Sequence, residues 1–270
     1  MKKEYQATNY ESDLTDKQWE AIKEFFPSGN KSKYHKRSLV EAVLYIVKTG
    51  CQWRMLPHDY PPHDTVWSFY RRARENGVWD KMMKHLVKIT RKQAGRNEEP
   101  SYALIDSQSV KTTCYGENHG YDGEKTKGRK RHIVTDTMGN LLCIHVHAAN
   151  IHDTKGGVYT FEKALYRYPT IQAGCADGGY RGTFRNTFDE FHNIRIDISM
   201  QIKEQKGFQV LPKRWVVERT FAWLNGSRRL SKDYETSCCS AETMIMISHA
   251  ATLLKTPMNT SSYGRSVCGN

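Results

Sequence analysis

Between residues 15 and 95 apolar positions recur at the three-to-four spacing of helices, with little of the alternation that marks strands. Thr15-Asp16-Lys17-Gln18 and Ser38-Leu39-Val40-Glu41 both fit the capping box, in which a hydroxyl and a carboxylate or amide satisfy backbone donors that a helix leaves open; each predicts a helix start. After Ser38, the residues Leu39, Val43, Leu44, Ile46 and Val47 form one apolar face, and Gly50 suits a left-handed stop. Pro57, Pro61 and Pro62 exclude helix interior from this stretch, because proline lacks the donor and clashes with the preceding turn. Thr65 then predicts a cap for a helix that turns Val66, Phe69, Tyr70 and Ala73 to a core, carries Arg71, Arg72 and Arg74 elsewhere, and ends at Gly77. A further helix is predicted over about 80–94, and 95–100 reads as a linker.

After Pro100 the pattern changes. Ala103-Leu104-Ile105 before Asp106 predicts a short buried strand, and Ile133-Val134 leads through the turn Thr137-Met138-Gly139-Asn140 into Leu142, Ile144 and Val146 alternating with Cys143, His145 and His147, a hairpin. A helix over 157–168 precedes a strand over 171–176 that ends in Asp177-Gly178-Gly179. A helix over 183–191, an alternating strand over 194–198, an amphipathic helix from Pro212 to about Leu230 and another over 241–255 complete the order, with residues beyond Pro257 small, polar and expected to be mobile. The order is that of an α/β unit behind an all-α one.

Charge adds a partner to this outline. The 41 Lys+Arg against 29 Asp+Glu give a formal charge of +12, which favours a polyanion, nucleic acid first, through phosphate contacts and counterion release. No apolar run approaches the roughly 18 residues of a membrane span and no signal region opens the chain, so a soluble cytoplasmic protein is expected. Seven cysteines without a C-x-x-C pair fit neither a disulfide scaffold nor a zinc ribbon; reduced thiols are expected.

Three carboxylates stand where chemistry could converge: Asp106 and Asp177, each at the end of a predicted strand, and Glu218 in a helix able to pack on that sheet. Carboxylates at strand ends also serve as caps or solvated turns, so position alone leaves both roles open. The blocks A-L-I-D-S-Q-S-V-K-T (103–112), K-G-R-K-R-H-I-V-T-D-T-M-G (127–139), A-N-I-H-D (149–153), A-D-G-G-Y-R-G (176–182) and R-W-V-V-E-R-T-F-A-W-L (214–224) resemble, in order, the DDE transposases of bacterial insertion sequences, the insertion-sequence-five group in particular. The resemblance implies a ribonuclease H-like catalytic domain over 101–256, preceded by a helix-turn-helix-type DNA-binding domain over 10–98 and followed by a flexible tail over 257–270. It also implies that Asp106, Asp177 and Glu218 hold divalent metal, Mg²⁺ with Mn²⁺ able to replace it and two ions expected, for strand cleavage and strand transfer on double-stranded DNA by a homodimer associated with the bacterial nucleoid. Carboxylates suit that ion because Mg²⁺ prefers oxygen ligands and keeps several waters. A structure-selective nuclease with the same triad and a DNA-binding regulator that has lost catalysis are the alternatives.

Around the glutamate, related transposases show tyrosine, arginine, glutamate and lysine at fixed spacing; here Arg214 and Glu218 keep their relation, while Leu211 and Asn225 stand at the tyrosine and lysine positions. Arg228 and Arg229 are candidate substitutes through bidentate phosphate contacts, or else a solvated basic helix end. Lys125, Lys127, Arg129, Lys130 and Arg131 form the densest positive run and are expected to bind the DNA backbone, as is Arg181; Arg71, Arg72 and Arg74 are expected to enter a groove. Trp215, Phe221 and Trp223 read as core, and His145 and His147 as strand residues rather than metal ligands.

Overall fold

The computed structural model describes residues 4–29, 33–113, 116–123, 126–199 and 215–256. Four helices come first. The Thr15–Gln18 capping box opens α1 (Asp16–Ile22) with both of its hydrogen bonds present. Helix α2 (Lys36–Thr49) starts earlier than Ser38 predicts: His35 is the cap, its ring accepting from the Arg37 N–H. The carboxylate of Glu41, fully buried, turns inward to Arg37 and the Leu14 N–H rather than back to a cap. Gly50 ends α2 at φ 70°, and a Cβ there would stand 3.1 Å from the backbone of Arg228, so left-handed geometry and close packing both require glycine. Helix α3 (His63–Glu75) begins after Pro62 rather than at Thr65, buries Val66, Phe69, Tyr70 and Ala73 as the spacing predicts, and is followed by Gly77 and α4 (Val78–Gln93).

The sheet is mixed. Strand β1 (Tyr102–Lys111) lies at its centre, antiparallel to β3 (Lys127–Thr135), and β3 pairs antiparallel with β4 (Leu141–Ala148) and with a short β2 (Gly120–Tyr121) on its outer edge. On the other side β5 (Ala173–Asp177) runs parallel to β1, and β6 (Arg195–Ser199) parallel to β5. Helices α5 (Asp153–Arg167) and α6 (Thr183–Phe191) pack together on one face; α7 (Trp215–Asn225) and α8 (Cys238–Lys255) pack together on the other. The α5 start, four residues before Gly157, follows from a His152 cap. Gly156 then lets the helix approach the rings of His132 and His147 closer than any Cβ allows.

An open strand edge invites pairing with other chains. The edge of β4 is closed by side chains: Glu242 accepts the Val146 N–H at 3.0 Å, His249 Nε2 accepts the Leu141 N–H at 3.1 Å, and Lys163 donates to the Ile144 carbonyl at 3.1 Å. Helix α8 also packs on α2 and α4, so one apolar core runs from Leu14 and Ile22 in the helical layer to Leu253 and Leu254 beneath the sheet. The irregular stretch 95–100 joins the two layers without interrupting that core. No described helix is long and apolar enough to cross a membrane. The tail over 257–270, expected to be mobile, lies outside the described residues.

Candidate active site

Side chains alternate across a strand, so parity sorts the residues of β1. Ser107 faces α5, where its hydroxyl donates to Asp153 at 2.8 Å; Asp106 therefore faces the opposite side, on which α7 lies across β1 and β3. The parallel pairing of β1 with β5 is in register at Tyr102↔Ala173 and Leu104↔Cys175. Extended by two residues, that register sets Asp106 level with Asp177 on the same face, one strand spacing (about 5 Å) away. Each carboxylate accepts one local backbone N–H, Asp106 from Ser107 at 2.8 Å and Asp177 from Gly179 at 2.9 Å.

Behind this pair lies Tyr180, 1% exposed, its hydroxyl without a hydrogen-bond partner. Burial, and then the charges of Asp106, Asp153 and Asp177, push its phenol well above the usual range, so three carboxylates act on one buried hydroxyl. On the α5 face Asp153 pairs with Lys130 at 2.9 Å. Burial works to raise the Asp153 pKa, yet the Lys130 and Ser107 hydrogen bonds outweigh it and hold the carboxyl below its ordinary value. His132, fully buried, contacts His147 at 2.8 Å; burial first, then that neighbour, lower its pKa to about 3, so it is neutral. Asp153 and Tyr180 went unassigned in the sequence, although both lie in the blocks that carry the resemblance; the cap geometry His152-Asp153 was the available signal.

Glu218 lies exposed in the first turn of α7. One turn of the helix is held by Arg219, whose guanidinium sits 4.5 and 4.6 Å from the rings of Trp215 and Trp223 and donates to the Met138 carbonyl at 2.8 Å. Phe221 is buried as expected, whereas Trp215, 42% exposed, is not core: its ring covers a cation instead. Among the described residues no three His, Cys, Asp or Glu side chains stand close enough together to hold a metal ion. His145 pairs with Glu242 at 3.1 Å and His147 stacks on His132, in keeping with strand roles. All five described cysteines are free thiols.

Burial divides the basic residues. Arg129 is fully buried and donates to the carbonyls of Glu117, Glu235 and Thr236 and to Asp233; Arg131, 2% exposed, donates to the carbonyls of Leu230 and Lys232. Lys130 is spent on Asp153 and the Ile151 carbonyl. These three are corrected from backbone contacts to internal struts: they lie in a strand whose two faces are both covered, a fact that a run of charges in sequence does not reveal. Arg229 is likewise buried against Glu235 at 2.6 Å. Lys127, Arg181, Arg228, Arg71 and Arg72 are exposed and Arg74 partly so, while Lys125 and Arg214 lie outside the described residues.

A family model described as a transposase DDE domain matches residues 97–253, and another described as a putative transposase of the IS4/5 family matches residues 14–83. An uncharacterized protein named y4sN from Sinorhizobium fredii is 30% identical over 119 residues, 43% of this chain and 86% of that protein. A Burkholderia cepacia protein named as an insertion element IS402 uncharacterized 16.2 kDa protein is 29% identical over 86 residues, 31% of this chain and 57% of that protein.

Proposed function

The chain belongs to the transposase DDE-domain family, whose model spans more than half of it, and from that premise we propose that it binds the terminal inverted repeats of its own insertion element, cuts DNA there and joins the freed end to a target. The observation that carries this reading is the level pair Asp106 and Asp177 at the ends of neighbouring parallel strands, on the side of the sheet where α7 carries Glu218. A ribonuclease H-like fold for the sheet domain accords with a central β1 flanked by antiparallel β3 and β4 and by parallel β5 and β6.

The donor set suits a hard divalent ion, which one or two carboxylates and phosphate oxygens can hold. Asp106, Asp177 and Glu218 would bind it, as Mg²⁺ or Mn²⁺ and as two ions. When bound, such ions supply positive charge at the exchanging phosphodiester and favour the ionised form of the attacking hydroxyl. The chain's own residues do the rest. Ser107 and Gly179 N–H groups orient the two aspartates, and the buried Tyr180 ring walls one side of them from solvent. Exposed Lys127, Arg181 and Arg228 hold the backbone of the DNA, with Arg71 and Arg74 of α3 reading a groove. Water as the attacking group gives cleavage, and a DNA 3′-hydroxyl gives transfer. Two ends must meet before joining, so a homodimer on DNA is part of the proposal.

The test is incubation of the full chain with candidate element ends, a target plasmid and Mg²⁺, followed by sequencing of the products. Joined ends are expected. Cut ends without joined products point to a nuclease instead, and binding without cutting to a DNA-binding regulator.

A further inference from the structure

Between the starts of α2 and α3 lies a cavity of about 460 Å³, lined by Lys33, Lys36, Arg72, Tyr34, Thr65 and Leu39, with Gly29 at its rim. Three cations therefore face one space. Among the described residues none of Lys33, Lys36 and Arg72 forms an ion pair, although Lys36 is close enough to Arg72 that burial, and then that like charge, lower its pKa. Their flanks are aromatic instead: the Lys36 ammonium stands 5.6 Å from the Phe69 ring and that of Lys33 5.7 Å from the Tyr34 ring. The neighbouring arginines of α3 differ. Arg71 lies 3.9 Å from Glu75 and 5.1 Å from the Trp67 ring, and Arg74 lies 3.9 Å from Glu75 and 5.8 Å from the Tyr70 ring. Like charges brought together without a carboxylate repel, and a bound anion reverses the sign of that interaction.

We propose that this cavity seats one phosphate of the DNA backbone, held by Lys33, Lys36 and Arg72, with the Thr65 hydroxyl as a further donor. Arg72 thereby separates from Arg71 and Arg74: it fixes where α3 sits on the duplex rather than which bases α3 reads. The assignment rests on the reading that the helical layer binds DNA.

It is tested in the full chain by titrating labelled duplexes, one carrying an element end and one scrambled, over a range of salt. Lys36→Gln and Arg72→Gln should weaken both duplexes by a similar factor, about tenfold or less, and each should lower the slope of log affinity against log salt by about one, the value for one lost phosphate contact. Lys36→Arg, which keeps the charge, should retain the slope. Arg71→Ala should instead reduce the preference for the element end. Variants with an unchanged slope while the unaltered chain binds normally would overturn the seat and leave the DNA-binding reading standing. Failure of the unaltered chain to bind either duplex would overturn the reading beneath it. If inorganic phosphate alone raises the melting temperature of the unaltered chain, but not of the variants, and the duplex slopes are equal, the seat takes a free anion and the DNA assignment is wrong.

Discussion

His249 lies wholly inside the protein, its Nε2 accepting the Leu141 N–H and its Nδ1 without a partner. Burial lowers its pKa from 6.5 to about 3, and His132 is shifted the same way. Below 6.5 the unfolded chain takes up protons that the folded one refuses, so the stability tied to these rings is full above that pH and drains as pH falls toward 3. Each ring contributes up to about 1.4 kcal/mol per pH unit across that window. His249→Gln, which keeps an acceptor for Leu141 and removes the titration, should flatten the acid limb of urea midpoint against pH; an unchanged limb would remove His249 from it. The carboxylates at 106 and 177 were legible because each ends an apolar run, a local mark. Asp153 was not, because its meaning depends on Lys130 and Ser107, which only strand pairing brings to it. The same blindness misplaced Arg129 and Arg131: a charge reads alike in sequence whether its donors meet water or carbonyls.

Among the elements, α4 and the β3–β4 turn are joined by one ion pair. Asp136, fully buried, accepts from Arg91 at 2.6 Å and from the Met138 and Asn140 N–H groups. Removing one partner of such a pair leaves a buried charge uncompensated, so Arg91→Met should lower unfolding free energy by about 3–5 kcal/mol, while the double change Arg91→Met with Asp136→Asn should recover part of the loss. Equal stability of the single variant and the parent in urea would refute this. Element type followed the hydrophobic period well, and α6, the β3–β4 hairpin and the faces of α3 lie where the pattern puts them. Boundaries moved where tertiary contacts override a local cap: Glu41 is drawn into the core by Arg37, and His152 rather than a glycine starts α5. The short β2 escaped notice because Gly120-Tyr121 has no period to read.

Over the whole molecule the continuous core has a thermodynamic consequence. Because α8 packs on α2, α4 and β4, the helical layer and the sheet should unfold together in urea, and helix loss by circular dichroism should coincide with the tryptophan signal, dominated by Trp19, Trp53, Trp67 and Trp79 of the helical layer. Two separated transitions would show that the layers are independent. On paired element ends, light scattering should find at least two protomers, since one catalytic layer serves one end at a time; a single protein on paired ends contradicts that. The central claim is that Asp106, Asp177 and Glu218 bind metal for phosphodiester chemistry, and alanine at each separates chemistry from binding. Loss of a carboxylate removes a metal ligand and also negative charge near the phosphates, so DNA affinity should persist or rise while cleavage in Mg²⁺ collapses, with double variants little worse than single ones. Near-normal cleavage by any one folded variant would contradict the assignment of that residue.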